Sequence, residues 1–91
     1  MFFISILVRL VMFNAIPPTG WLQDVAPYDT VEECNAALPL RAAELQYYVQ
    51  STFRGMGEIL EYRCMTEPDW IKHNVDLGHK IAKDFKPKTN L

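Results

Sequence analysis

His73, Asp76 and His79 are the first residues to weigh for chemistry, because imidazole and carboxylate groups a few positions apart are what a transition metal requires. Their spacing argues against it. On a helix the two histidines fall on different sides, whereas a zinc-binding helix carries its pair four apart on one face, so the set reads as part of a solvated polar face. Cys34 and Cys64 belong to no CxxC pair, which excludes a zinc ribbon or a thioredoxin-like redox motif. Cys34 also falls in an apolar helical stripe, a poor setting for a reactive thiolate. Gly55-Met56-Gly57 lacks the third glycine and the strand-then-helix context of a dinucleotide loop and is better read as a helix exit. Of the adjacent Tyr47 and Tyr48, Tyr48 is expected to border the core and Tyr47 to be exposed. The expectation is therefore a chain without catalytic residues, cofactor or metal.

The basic residues point elsewhere. Residues 1–68 carry a net charge of -4 and residues 69–91 one of +2, and the total is -2. Lys80, Lys83, Lys86 and Lys88 make the end of the chain a candidate contact arm for an acidic protein surface. With Asp84 among them and no basic patch earlier, nucleic acid is not the expected partner.

These residues need elements to position them. At 91 residues and 49% hydrophobic content the chain is sized for one core of thin stability. The core is expected to form around Phe2 to Phe13, an apolar run broken by Ser5 and Arg9. It is too short to span a membrane, which takes about 20 apolar residues, and no Lys or Arg precedes it as in a secretion signal. As a strand it places Phe2, Ile4, Ile6, Val8, Leu10 and Met12 on one face, all apolar. The other face carries Phe3, Ser5, Leu7, Arg9, Val11 and Phe13, mostly apolar and expected to be partly covered. Pro17-Pro18-Thr19-Gly20 then predicts a turn, and Trp21 to Ala26 a short edge strand stopped by Pro27.

Thr30-Val31-Glu32-Glu33 matches a capping box and starts a helix. Its inward stripe is Cys34, Leu38, Ala42, Leu45, Val49 and Phe53. Pro39 predicts a kink, or a break after Leu38. Arg54 to Gly57 ends the helix, with a glycine in the left-handed cap position. Glu58 to Met65 alternates as a third strand, with Leu60, Tyr62 and Cys64 facing the helix and Ile59, Glu61, Arg63 and Met65 turned away. Thr66 is placed to cap a second helix, in which Gly78 is unfavourable and the apolar residues form a broad face rather than a narrow stripe. The tail from Lys86 reads as extended.

The fold expected is α+β, a three-stranded sheet in the order 2-1-3 with the main helix on one face and a C-terminal helix in addition. Residues 1–65 form the ββαβ core, and residues 66–91 belong to the same domain or act as a docking arm. In that order Arg9 is expected near Glu61 as a cross-strand pair. Cys34 and Cys64 meet between helix and third strand, where a disulfide is geometrically reasonable; two buried thiols are the alternative in a reducing compartment.

The succession of apolar strand, Pro/Gly turn to a tryptophan, Tyr28-Asp29-Thr30-Val31-Glu32-Glu33-Cys34, helix, and a strand ending Tyr62-Arg63-Cys64 resembles a pattern in small phage-encoded and bacterial α+β proteins. It covers residues 2–65 and implies a fold and a cysteine pairing. The function expected is a non-enzymatic interaction or structural protein, a phage accessory or virion component located in the particle or the infected host cytoplasm. It would bind other protein, including copies of itself, through Phe3, Leu7, Arg9, Val11, Phe13, Trp70, Lys80, Lys83, Lys86 and Lys88. A small viral inhibitor of a host protein and a periplasmic or secreted module are the alternatives.

Overall fold

A computed structural model describes residues 1–11 and 19–84, with side chains to residue 80. Its elements are β1 (Phe2–Leu10), β2 (Thr19–Tyr28), α1 (Val31–Thr52), β3 (Gly57–Met65) and α2 (Glu67–Asp84). The strands form one sheet in the order β2-β1-β3, with β1 antiparallel to both neighbours. The most apolar strand thus takes the centre, as its sequence demands. The expected turn at residues 17–20 lies largely outside the described residues, as does Phe13.

The two faces of β1 have different covers. Ile4, Ile6 and Val8 pack with Cys34, Leu45 and Val49 of α1, and Phe2, Leu10, Leu38, Phe53 and Tyr62 border this core. Period-two alternation in the strand and i, i+3, i+4 spacing in the helix place two apolar surfaces face to face. The Cys34 and Cys64 sulfurs lie at disulfide distance, with Cα atoms 6.1 Å apart. Both Tyr47 and Tyr48 are exposed, so Tyr48 stands further from the core than its sequence position suggested.

Two irregularities of pairing reshape the edge strands. Opposite β1, Glu61 pairs with Leu7 but Ile59 pairs with Val8, leaving Leu60 as an extra residue. Such a bulge reverses the facing of everything before it. Ile59 therefore joins the core and Leu60 is exposed, the reverse of the expected alternation. The same slip brings Glu58 opposite Arg9, and the salt bridge forms there at 2.6 Å rather than with Glu61, which pairs with Arg63. In β2, Gln23 pairs with Ser5 and Pro27 with Phe3, so Asp24, Val25 and Ala26 stand against Ile4 alone. The strand does not stop at Pro27 but runs on to Tyr28. Proline is tolerated because β2 is an edge strand, where a missing amide hydrogen need not interrupt the sheet.

α1 begins as expected, the Glu33 amide donating to Thr30 Oγ1 at 3.1 Å. It does not break at Pro39: the helix is continuous through it. Pro39 sits on the exposed side, where the carbonyl of Asn35 that it leaves without a helical donor can turn to water. At the other end the Gly55 amide bonds to the Gln50 carbonyl at 2.8 Å, a Schellman closure. The left-handed cap residue is Arg54 (φ 53°), with Gly55 (φ 80°) following it, so the glycine is one position later than an economical cap requires. Gly57 then starts β3 directly under the helix. A Cβ built there would stand 2.6 Å from Val49 Cγ1 and 3.0 Å from Phe53 Cδ2. α2 is capped by Thr66, whose Oγ1 accepts the Asp69 amide at 3.3 Å, with Pro68 in the tolerant first turn.

Two stability measurements test this account. Gly57→Ala is expected to lower the unfolding free energy by about 1–3 kcal/mol, as overpacking does, whereas Arg54→Gly raises it by up to ~1 kcal/mol by relieving a left-handed non-glycine residue; urea titration separates the two signs. The oxidised protein should show no free thiol to a labelling reagent until reduced. Replacing both cysteines with alanine, which opens a loop spanning a sequence separation of 30, should cost roughly 3–4 kcal/mol in the chain-entropy account of disulfides.

Candidate functional site

The second face of the sheet shows how α2 is held. Trp21 of β2 is 7% exposed. Its amide donates to Asn74 Oδ1 at 2.8 Å, and its carbonyl accepts from Asn74 Nδ2 at 3.1 Å and from Trp70 Nε1 at 2.8 Å. One carboxamide thus supplies the acceptor and the donor that a further strand would supply. An edge strand closed this way cannot pair with stray chains at that residue. The Trp21 ring is enclosed as well. His73 meets it edge-on at 5.9 Å between centroids, and the Arg63 guanidinium carbon lies 5.5 Å from the ring centroid. His73 Nδ1 lies 2.8 Å from the Asp69 carbonyl and so carries the hydrogen, which leaves Nε2 to accept from Arg63 at 3.1 Å. Ser5 and Met65 are buried on this same face.

Further along β2 the chain opens a cleft. Alternation from Leu22 places Asp24 on the α1 side, and the three-against-one irregularity that follows leaves Val25 87% exposed, its amide taken up locally by Asp24 Oδ1 at 2.9 Å. Asp24 Oδ1 and Oδ2 accept from Arg41 Nη2 and Nε, both at 3.0 Å, in a bidentate pair whose carboxylate is 6% exposed. The Arg41 pKa is raised by that hydrogen bond and by the charge of Asp24. Its remaining nitrogen pairs with Glu44. Between this rim and α2 lies a space of about 630 Å³. Ile6, Leu22 and Leu45 line its apolar part, Tyr48 and Trp70 supply aromatic surface, and Gln23, Asp24, Arg41 and Glu44 supply the polar part. Gln23, which pairs with Ser5 on the opposite face of β2 from Leu22, has its Nε2 buried with no hydrogen-bond partner among the described residues.

The residues singled out from the sequence are scattered by the fold. Phe3, Leu7 and Arg9 are half-buried on the second face of β1, and Val11 is exposed at its end. Trp70 belongs to the cleft and also to the Trp21 clamp. Lys80 is exposed on α2, the Lys83 side chain lies outside the described residues, and Lys86 and Lys88 lie outside them entirely. His73 is engaged with Arg63 and Asp69, while His79 is exposed. Among the described residues no group of three His, Cys, Asp or Glu side chains converges as a metal site would require, and no helix is long and apolar enough to cross a membrane. Leu22, Asp24, Arg41 and Glu44 carried no local signal, because a site drawn from a bulge and a helix face seventeen positions away has none; Tyr48 did stand out, as one of an adjacent tyrosine pair. Asn74 did carry one: it is a polar residue within the otherwise apolar series Trp70, Asn74, Leu77.

Comparison with family models, with curated proteins and with solved structures finds no match for the chain.

The clamp predicts a measurable loss. Asn74→Ala leaves the Trp21 amide without its acceptor in a nearly buried position, so stability should fall by about 1–3 kcal/mol, the range for an unsatisfied buried donor. Hydrogen exchange at the Trp21 amide should accelerate more than at Ile6, which lies in the core under α1.

Proposed function

We propose that the protein is a non-enzymatic interaction module that receives an apolar side chain of a protein partner in the cleft between α1, β2 and α2. The observation that carries this reading is the make-up of the cleft. An apolar floor with two aromatic side chains and a charged rim is the arrangement of a protein-binding hot spot, a dry centre surrounded by groups that exclude water. The volume of about 630 Å³ suits an anchor residue with its neighbours. The charged groups of the rim bond to one another, Arg41 to Asp24 and to Glu44. Such mutual engagement fits a recognition surface better than a catalytic site, where an acid, base or nucleophile must be available to a substrate. The setting, a phage particle or an infected host cell, is carried by the sequence resemblance alone.

Selection of random displayed peptides against the immobilised full chain tests the reading. Peptides with an apolar or aromatic anchor should be enriched, and their affinity should fall at least tenfold against Tyr48→Ala, a substitution at an exposed position that leaves the core intact. No enrichment, or peptides that bind Tyr48→Ala equally well, would sink the proposal.

A further inference from the structure

The broad apolar arc of α2 is only half used. Trp70, His73, Asn74 and Leu77 turn toward the sheet and are half-buried, whereas Ile71, Val75 and Gly78, spaced i, i+4, i+7, form a neighbouring stripe left exposed. Among the described residues nothing accounts for Gly78: it sits mid-helix, where glycine is unfavourable relative to alanine, and a Cβ built on it meets none of them within 4 Å. What a glycine permits at such a point is the close approach of another backbone.

We infer that α2 packs antiparallel on α2 of a second copy across a two-fold axis at Gly78, and that each copy's tail from Phe85 enters the other's cleft beside Trp70. The inference rests on reading the cleft as a protein-binding site and names its occupant. An antiparallel pair centred on Gly78 sets Trp70 level with residue 86 of the other chain, so the spacing of cleft and tail on one helix is the spacing the two-fold requires.

Charge agrees with a second copy. Phe85 is followed by Lys86 and Lys88 with no acidic side chain to the end of the sequence, and the cleft rim carries one Arg against Asp24 and Glu44, with Glu44 69% exposed. A basic segment bearing an aromatic anchor is the complement of that rim. Because each copy gives what it receives, the contact closes as a dimer.

Sedimentation velocity of the full chain over a concentration series decides it. The wild-type chain should sediment as a dimer. Gly78→Leu, a change into open space that circular dichroism should show folded, is expected to raise the dissociation constant at least tenfold, as is Lys86→Glu with Lys88→Glu. Adding Glu44→Lys to that charge-reversed tail should recover most of the loss. A monomer at ~100 μM, a larger open-ended assembly, or dimerisation unchanged by Gly78→Leu would overturn the inference. Displayed peptides that still required Tyr48 would in that case leave the cleft standing with a different occupant.

Discussion

Both faces of β1 have to be kept from water, and they cannot be covered in the same way. The face of Ile4, Ile6 and Val8 is wholly apolar and accepts a helix by area alone. The face of Phe3, Ser5, Leu7 and Arg9 mixes apolar with polar groups, and Ser5 is 0% exposed on it. Ser5 Oγ has no hydrogen-bond partner among the described residues, and the polar contacts that α2 brings through Trp70, His73 and Asn74 go to the Trp21 backbone and Arg63. One helix is joined to the sheet by packing and a cysteine pair, the other by hydrogen bonds concentrated on Trp21.

The cleft is a by-product of that division. α1 follows the core and α2 follows the edge of β2, and the two diverge around the bulge at Asp24 to Ala26. Arg41 bonds the bulge to α1 and Trp70 closes the opposite side, so the opening is held by groups that also hold the fold. A space framed in this way keeps its shape when empty, which lowers the ordering cost of whatever enters it.

Much of this architecture was legible in the residues. The alternation of Phe2 to Leu10, the cap at Thr30, the stripe from Cys34 to Phe53 and the cap at Thr66 are local signals, and each appears where its spacing put it. The features that escaped are decided by pairing between distant segments. Whether Leu60 is skipped depends on Val8 and Leu7 across the sheet, and that skip determined both the partner of Arg9 and the facing of Ile59. Pro39 continues a helix because its side of α1 faces solvent, and Arg54 takes a cap that the glycine beside it could have filled. Of the cleft, only Trp70 stood out as a contact residue, since the rest comes from three elements with no shared motif.

The Asn74 carboxamide stands where the amide and carbonyl of another strand would fit, and that has a consequence for the partly opened protein. α2 is the last of the described elements and, among the described residues, is tied covalently to the sheet only through the connection from β3, so it can undock without unfolding the core under α1. Once it does, Trp21 presents an unpaired amide and carbonyl beside a large apolar ring on an edge strand, the surface on which chains join into aggregates. Resistance to aggregation during such local opening thus rests on how quickly one side-chain amide returns to its place.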